Sequence, residues 1–393
     1  MSKLSLTYIA FPSASEETYL RGEKLFKKIL PDISIDNSTT NPDCLFILTG
    51  GSEFKAKNLI DNMSHVLILA LDENNSFAAA TEIKAYCNQK KIKSVLINLD
   101  SDQNPSVKVE NYIRSIKAIS KIKNYTIGLI GNISEWLIAS DIPSSILKSK
   151  FGITLSKISW NNYKNYSEYN VNNDFIDHFK NSTDFDLKDS SKVYSLLMQI
   201  INDNKLDAIT VECFPLVREH AVTACLALSK LNNDLFPAGC EGDLTSITGM
   251  IIAKELTGQV PWMANLISIN NKSVNFAHCT IATNLVGTYK ISTHFETNLG
   301  TAVHGQFNSE DVTLFRLDKN LEQAFITNGK VISTPNKNNA CRTQIEVRIP
   351  ENDLQLLKEN PLGNHHLIIP GKFEEVLRFF CNWNQVTINN SSI

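Results

Sequence analysis

The sequence predicts an α/β protein built on a parallel, doubly wound sheet. Short apolar segments recur through the first third of the 393-residue chain, and the stretches between them carry apolar residues at helical spacing. Buried strands that alternate with helices of this length are typical of a parallel sheet covered on both faces. In such sheets ligands bind beyond the carboxyl ends of the strands, so we expect site residues there.

The predicted strands of the first third are short and apolar, and they lie at Leu6–Phe11, Cys44–Thr49, His65–Leu71, Ser94–Leu99 and Thr126–Ile130. Three predicted helices separate them, at Ser15–Leu30, Ser76–Cys87 and Val107–Ile122. The last helix repeats isoleucine at every third position, which is the spacing of one helix face. A further helix is expected to begin at Asn132–Glu135, with Ser134 as its N-cap.

The pattern changes after residue 150. Residues 150–190 are rich in Asn, Ser, Asp and Tyr and predict a boundary or an exposed excursion. Later segments predict a strand at Asp207–Val211, a helix at Leu244–Glu255 and two strands around an Asn-Asn-Lys turn within Val260–Thr280. The tail predicts short strands at Val312–Leu317, Gln323–Thr327 and Thr343–Ile349, with Asn328-Gly329 as a hairpin turn.

Composition and charge exclude several classes of protein. The chain has 38 Lys+Arg and 41 Asp+Glu, a formal net charge of −3, which argues against nucleic-acid binding. It has no apolar run of about 18 residues, so no membrane span is expected, and Met1–Pro12 predicts a strand rather than a signal peptide. The eight cysteines form no Cys-x-x-Cys pair, which indicates reduced thiols in a cytoplasmic protein and excludes the common zinc-ribbon spacings.

Acidic residues lie where predicted strands end and a predicted helix begins. Glu212 follows the strand Asp207–Val211, and Glu241 and Asp243 precede the helix Leu244–Glu255. An acid at a helix N-terminus is stabilised by the helix dipole, which accounts for one carboxylate. It does not account for the glycines on both sides of Glu241, which allow a backbone or a ligand to approach closely. For Glu212, an exposed turn position is the alternative to a role in a site.

An amide and three imidazoles are candidates for the same site. Asn265 and His278 are expected at the ends of the two strands that follow the helix, and His365 and His366 at the mouth of an apolar strand. Neighbouring residues on a strand point to opposite faces, so only one of the adjacent histidines should reach a given metal. With Glu241 these residues form a mixed oxygen and nitrogen donor set, which suits Mn²⁺, Co²⁺ or Mg²⁺ better than a closed zinc site.

Several motifs resemble those of the L-fucose/L-arabinose isomerase superfamily and occur in the family's order. They are IGLIGNISEWLIAS (127–140), TVECFP (210–215), GCEGDLTSITGM (239–250), FAHCTIATNL (276–285), STHFET (292–297) and GNHHLIIPG (363–371). The resemblance is greatest to the shorter, fucose-isomerase-like branch that includes sulfoquinovose isomerase. It spans residues 127–371, whereas the first 120 residues match only as a pattern of strands and helices.

The resemblance implies a set of metal ligands. Glu241 matches the metal-binding acid of the family's Glu-x-Asp motif, His278 matches a histidine of the arabinose isomerases, and His366 matches the second histidine of a C-terminal pair. Asn265 stands where the family has a second acid, and its amide oxygen can bind a hard metal but cannot act as a base. The implied cofactor is Mn²⁺, with Co²⁺ or Mg²⁺ as alternatives.

The resemblance also implies the architecture and the assembly. It predicts two doubly wound α/β domains, residues 1–145 and 146–290, followed by a C-terminal antiparallel β-barrel, residues 291–393. The protein would form a homo-trimer or homo-hexamer with sites between subunits.

The hypothesis that follows is a metal-dependent aldose–ketose isomerase acting through an ene-diol on a fucose- or arabinose-type sugar or on sulfoquinovose. Glu241 is the first choice for a ligand that also touches the reacting atoms. Candidates for its partner acid or base are Asp243, Glu212 and His278.

Substrate contacts are expected from side chains that can stack on a sugar ring or bind its hydroxyls or an anionic group, namely His365, His294, Glu296, Trp136 and Arg218. None of them identifies a particular sugar. A non-catalytic sugar-binding or regulatory protein on the same fold is the alternative, and Asn265 favours it. A metal-dependent aldolase or epimerase is a third possibility.

Overall fold

A computed structural model of the protein describes residues 3–37 and 42–389. The chain forms two compact units, Met1–Ile116 and Lys117–Ile393. One parallel sheet belongs to the first unit, and a second parallel sheet and a closed barrel belong to the other. The predicted fold, α/β with an antiparallel barrel towards the C-terminus, is confirmed. The domain boundaries after residues 145 and 290 stay a prediction.

The first unit contains five parallel strands: β1 (Lys3–Ile9), β2 (Ser34–Asn37), β3 (Cys44–Ile47), β4 (His65–Ala70) and β5 (Lys93–Asn98). The helices that follow them are α1 (Glu16–Ile29), α2 (Glu53–Ile60), α3 (Ser76–Gln89) and α4 (Pro105–Ile122). The strand order is β2-β1-β3-β4-β5. The central strands β3 and β4 are buried almost throughout, as continuous apolar runs in a parallel sheet require.

The second sheet consists of four parallel strands: β6 (Thr126–Ile130), β7 (Thr154–Ile158), β8 (Ala208–Val211) and β9 (Ala238–Cys240). Its helices are α5 (Ser144–Phe151), α6 (Asn173–Phe179), α7 (Lys188–Asn204), α8 (Phe214–His220), α9 (Cys225–Asn233) and α10 (Leu244–Thr257). The order is β7-β6-β8-β9, so the winding direction changes between β6 and β8. Loops diverge at such a switch point and leave a crevice at the carboxyl ends of the strands.

The remaining strands begin at Trp262: β10 (Trp262–Ile269), β11 (Val274–His278), β12 (Val286–Ser292), β13 (Ala302–Phe307), β14 (Asp311–Leu317), β15 (Gln323–Ser333), β16 (Thr343–Arg348), β17 (His365–Pro370) and β18 (Thr387–Ile388). Two helices, α11 (Glu351–Glu359) and α12 (Glu374–Trp383), flank β17 in the sequence. Six strands close a ring in the order β14-β17-β10-β11-β16-β15 because β14 also pairs with β15. β12 and β13 form a separate hairpin.

Most predicted elements are confirmed, and two are wrong. No helix forms at Asn132–Glu135, because the Ser134 amide donates to the backbone oxygen of Glu241 at 2.9 Å and the segment is irregular. Asn328 and Gly329 make no hairpin turn; they lie inside β15 and pair with Thr313 and Val312 of β14. The turn between these strands is formed by residues 318–322, where the Asp318 carboxylate accepts three backbone N–H bonds.

Two findings concern the membrane and redox predictions. Among the described residues, every helix is too short or too polar to cross a membrane. All eight cysteines are buried and unpaired, as the absence of Cys-x-x-Cys spacing predicts.

Candidate functional site

The candidate site lies at the carboxyl edge of the second sheet. Glu241 immediately follows β9, and Glu212 immediately follows β8, so the strands deliver both acids to one edge. The loop after β6 crosses the same edge and bonds to both: Asn132 N–H donates to Glu212 Oε2 at 2.6 Å, and Trp136 Nε1 donates to Glu241 Oε2 at 2.5 Å. This is the place where a parallel sheet is expected to bind ligands.

Glu241 is held in an uncommon conformation. Its backbone φ is +62°, in the left-handed region that few residues other than glycine adopt. Gly242 follows with φ +72°, and a Cβ there would collide with the backbone of Asn132. The glycine is therefore needed for the close packing of this turn against the loop after β6. Strained backbone of this kind is concentrated at functional positions.

Nε2 of His365 and Oε1 of Glu241 face each other. His365 is fully buried, and its Nδ1–H donates to Asp243 Oδ2 at 2.9 Å, so Nε2 is the nitrogen that carries a lone pair when the ring is neutral. That Nε2 makes no hydrogen bond and lies 3.8 Å from Glu241 Oε1. A buried lone pair facing a carboxylate is costly unless a cation, either a proton on Nε2 or a metal ion, lies between them. A carboxylate–histidine pair that leaves the second nitrogen free is also the usual support of a metal-ligating histidine.

Asp243 is buried beneath the site, where it holds neighbouring side chains in place. It is fully buried and caps α10, and it accepts hydrogen bonds from Thr245, Ser246, Arg316 and His365. Burial alone would raise the pKa of Asp243, but the Arg316 guanidinium and the bond from His365 outweigh it and hold that pKa well below its usual range. The carboxylate therefore stays ionised and fixes the tautomer and orientation of His365.

His278 is the second imidazole beside Glu241. Its Nδ1 accepts the Thr280 backbone N–H at 3.1 Å, so the proton is assigned to Nε2, which lies 4.0 Å from Glu241 Oε1. Burial, with the nearby His365 and His294, lowers the pKa of His278 well below its usual value, so the ring is neutral. Cys240, Glu241 and His278 place one possible ligand atom each within 4.8 Å of one another.

His366 and Asn265 lie apart from this cluster. His366 points to the opposite face of β17 from His365, packs against the Phe276 and Phe325 rings, and donates from Nδ1 to the Asn364 carbonyl. Burial and the Arg316 charge lower its pKa to about 3. In the structure His365, and not His366, faces Glu241, whereas the roles of His366 as ligand and His365 as substrate contact stay predictions.

Asn265 lies inside β10, not at a strand end, because the ladder with β11 and β17 extends the strand to Ile269. Its Oδ1 accepts a hydrogen bond from Asn364 Nδ2 at 2.5 Å. The amide oxygen is therefore engaged by a neighbouring side chain.

An aromatic shelf borders Glu241 on its exposed side. Trp136 is 51% exposed and meets Phe214 edge-on at 4.7 Å, and Phe214 meets the His294 ring edge-on at 5.9 Å. His294 Nε2 lies 3.2 Å from a Glu296 carboxylate oxygen. Burial and then the charge of Glu241 raise the pKa of Glu296. Trp136, His294 and Glu296 thus lie along one series of contacts that starts at Glu241, and their role as substrate contacts stays a prediction.

Glu212 and Arg218 are less directly placed. Glu212 binds the backbone and side-chain amides of Asn132 and lines a neighbouring cavity. Arg218 is exposed on α8 and makes no hydrogen bond or ion pair with any described residue.

Sequence reasoning missed Arg316 and Cys240. Arg316 is 1% exposed, and it bonds to Asp243, Ser246 and Ser140. A charged residue inside the apolar strand sequence of β14 is the feature that marks it, since buried arginines are found paired. Cys240 is marked only by its position next to Glu241.

No protein-family model matches the chain. It is 24% identical over 229 residues to the sulfoquinovose isomerases of Priestia aryabhattai and Priestia megaterium, a match that covers 53% of the chain and 50% of each relative. It is 22% identical over 200 residues to the sulfoquinovose isomerase of a Clostridium species, covering 47% of the chain and 44% of the relative. The chain is similar in sequence to sulfoquinovose isomerases. The predicted resemblance is confirmed, although the chain matches only about half the length of these relatives.

Proposed function

We propose that the protein is a metal-dependent aldose–ketose isomerase acting on a monosaccharide. The observation that carries the proposal is the pair of acceptors Glu241 Oε1 and His365 Nε2, 3.8 Å apart, with the histidine held by Asp243. The similarity to curated sugar isomerases supports the same reaction class.

Glu241 and His365 would hold the metal, with Cys240 and His278 next to them. Carboxylate and imidazole donors suit Mn²⁺, which we propose as the cofactor, with Co²⁺ or Mg²⁺ as alternatives. A divalent cation supplies the Lewis acidity that polarises the sugar carbonyl and stabilises the charge of an ene-diolate. His278 fits a different role from the ligand role that the resemblance implies, because its proton on Nε2 makes it a neutral hydrogen-bond donor.

The remaining groups would bind the open-chain sugar and move its proton. The Trp136 and Phe214 rings offer an apolar surface for the carbon chain. Glu296 would serve as the general acid and base, since it lies 3.2 Å from His294 at the end of the aromatic shelf and burial raises its pKa. It would take the proton from C2 and return it to C1. Asn265, an amide bonded to Asn364, cannot perform that step.

We propose sulfoquinovose, the substrate named for the curated relatives, as the first sugar to test. Its sulfonate needs a fixed cation near the shelf. Arg342 would provide this cation. Its guanidinium is held in place because it donates to Thr293 Oγ1 and to the Thr293 carbonyl and lies over the Phe295 ring. It is close enough to His294 that its charge lowers the pKa of that histidine, after the larger effect of burial. The resemblance further leads us to propose a homo-trimer or homo-hexamer, which sedimentation velocity would identify.

The test is an NMR assay in D₂O with Mn²⁺-loaded protein and L-fucose, D-arabinose, L-arabinose and sulfoquinovose. We expect one sugar to give its ketose with deuterium at the transferred position. EDTA should stop the reaction, and added Mn²⁺ should restore it. Turnover that survives complete metal removal would overturn the metal-dependent mechanism.

A non-catalytic sugar-binding protein is the second candidate, and Asn265 in place of an acid favours it. That candidate predicts sugar binding without turnover and without any requirement for metal. Calorimetric titration of a sugar into EDTA-treated and Mn²⁺-loaded protein therefore separates the two functions.

A further inference from the structure

A large cavity opens at the switch point of the second sheet. It has a volume of about 660 Å³, within the usual range for small-molecule sites. Its floor is formed by Gly131, Ser159 and Glu212, which directly follow β6, β7 and β8. Open α/β sheets bind ligands at this position because the loops on either side diverge there. Of the two proposed metal ligands, Glu241 lies farther along the same edge, after β9, and His365 lies at the start of β17.

The outer wall is built from the Asn- and Tyr-rich segment that follows β7. Ser159 and Asn165 cap its two short turns by accepting backbone N–H bonds. Tyr163 OH accepts a hydrogen bond from Asn204 at 2.8 Å, and the Tyr166 ring lies 5.4 Å from the ring of His220 on α8. These contacts fix the wall before any ligand arrives, so binding would require little reorganisation.

The lining has the chemistry of a sugar site. The Trp160, Tyr163 and Tyr166 rings lie beside the planar polar side chains of Asn132 and Asn161. Aromatic faces suit the C–H faces of a pyranose, and planar amides bind its hydroxyls in pairs. The Trp160 indole Nε1–H is buried and has no partner, which leaves a donor for a ligand oxygen.

The lining of this cavity carries as many lysines as glutamates. Lys157 and Lys164 are offset by Glu212 and Glu219, and Glu212 already binds Asn132. A phosphate or sulfonate would require a cationic excess, which this cavity lacks.

We propose that this cavity is a second binding site, specific for a neutral, hydroxyl-rich sugar and independent of the metal centre. The pyranose ring stacks on the aromatic wall, and one of its oxygens accepts the Trp160 indole proton. The inference does not require isomerase activity, since the cavity shares no proposed metal ligand.

Methyl glycosides provide a probe that separates this site from catalysis. Their rings cannot open, so they are not substrates of an aldose–ketose isomerase. We expect methyl glucoside, galactoside, mannoside or fucoside to show saturation-transfer NMR signals with EDTA-treated protein. Trp160→Phe removes the indole donor and keeps an aromatic ring. It should raise the dissociation constant of the glycoside by at least about threefold. Asn161→Ala changes an exposed lining residue and should also weaken binding.

The matched control is Trp136→Phe on the aromatic shelf, which should leave glycoside binding unchanged. Inorganic sulfate should not compete with the glycoside. The proposal is overturned if no glycoside gives a signal, if sulfate displaces it, or if Trp136→Phe weakens binding as much as Trp160→Phe. Turnover of a reducing sugar without glycoside binding would refute this site and leave the proposed function standing.

Discussion

The two parallel sheets share a winding pattern and differ in the chemistry of their carboxyl edges. The orders β2-β1-β3-β4 and β7-β6-β8-β9 both reverse direction beside the first strand. Each sheet therefore has a switch point where a ligand can bind. The polar groups at the two edges are used differently.

At the first edge, several polar groups form hydrogen bonds and ion pairs with one another. Asn98 donates to Asp72 Oδ1 at 2.6 Å, the Asp72 backbone N–H donates to Asp100 at 2.9 Å, and Arg21 pairs with Glu73 at 2.6 Å. At the second edge, the buried nitrogens His365 Nε2 and Trp160 Nε1 have no partner. These two nitrogens lie beside the loops that follow the strands of the second sheet, which is where we propose that ligands bind.

The barrel explains part of this difference. His278 at the end of β11 and His365 at the start of β17 both reach Glu241 from strands of the ring. The sheet itself brings Glu241 and the Cys240 thiol to this edge but no imidazole. The donor set of the proposed metal centre therefore exists only where sheet and barrel meet.

Among the changes considered, substitution of Glu241 should cause the largest loss of activity at the second edge. Glu241→Gln keeps the shape of the side chain but loses its charge, so turnover should fall by at least about a hundredfold. Mn²⁺ affinity, measured by calorimetry, should fall as well. Circular dichroism should show an unchanged fold. A variant with full activity would rule out Glu241 as the centre of the site.

The adjacent histidines form a matched pair for the next test. Nε2 has no hydrogen-bond partner in either histidine, but only that of His365 lies beside Glu241, so His365→Gln should lower the Mn²⁺ affinity by at least about tenfold. His366→Phe replaces a ring that packs against Phe276 and Phe325 and should leave the affinity unchanged. The opposite pattern would restore His366 as the ligand, as the sequence resemblance implies.

Asp243→Asn tests the support of His365. Arg316 would lose its buried partner charge, which costs about 3–5 kcal/mol in the free energy of unfolding. His365 would lose the carboxylate that fixes its tautomer, and Mn²⁺ affinity should fall about 10–100-fold. Urea denaturation and metal titration measure the two effects separately. Unchanged metal affinity in the folded variant would contradict the supporting role.

Asp72→Ala is the matching change at the first edge and should have the smallest effect. Asn98, only 3% exposed, would lose an acceptor, at a cost of about 1–3 kcal/mol in the free energy of unfolding. Mn²⁺ affinity should stay the same because all the proposed ligands lie in the second unit. A loss of metal affinity would show that the two edges are not independent.

Local pattern predicted much of the fold but not the strand ends. Apolar runs located β1, β3, β4, β5 and β6, and helical spacing located α1, α3 and α4, because these signals lie within one segment. Asn328-Gly329 failed as a turn because β15 pairs with both β14 and β16, and two ladders override a turn preference. The same argument moves Asn265 from the end of a strand to its interior.

The sequence indicated which residues lie together better than it indicated what each of them does. The motifs identified Glu241, His278, His365, Trp136 and Glu296, which the structure brings together. Strand alternation predicts that only one of two adjacent histidines faces a site. It does not say which one, since that depends on the face of β17 that Asp243 approaches.

The ring order of the barrel sets the sequence of events during folding. β17 pairs with β10 and β14, so His365 reaches its place only when segments distant in the chain have found each other. Helices and local hairpins form far faster than such distant pairings, because loop closure must precede them. Capture of the proposed metal would therefore be a late step that follows the closure of the barrel. A nascent chain would be unable to retain the ion until β17, which begins at His365, has been synthesised.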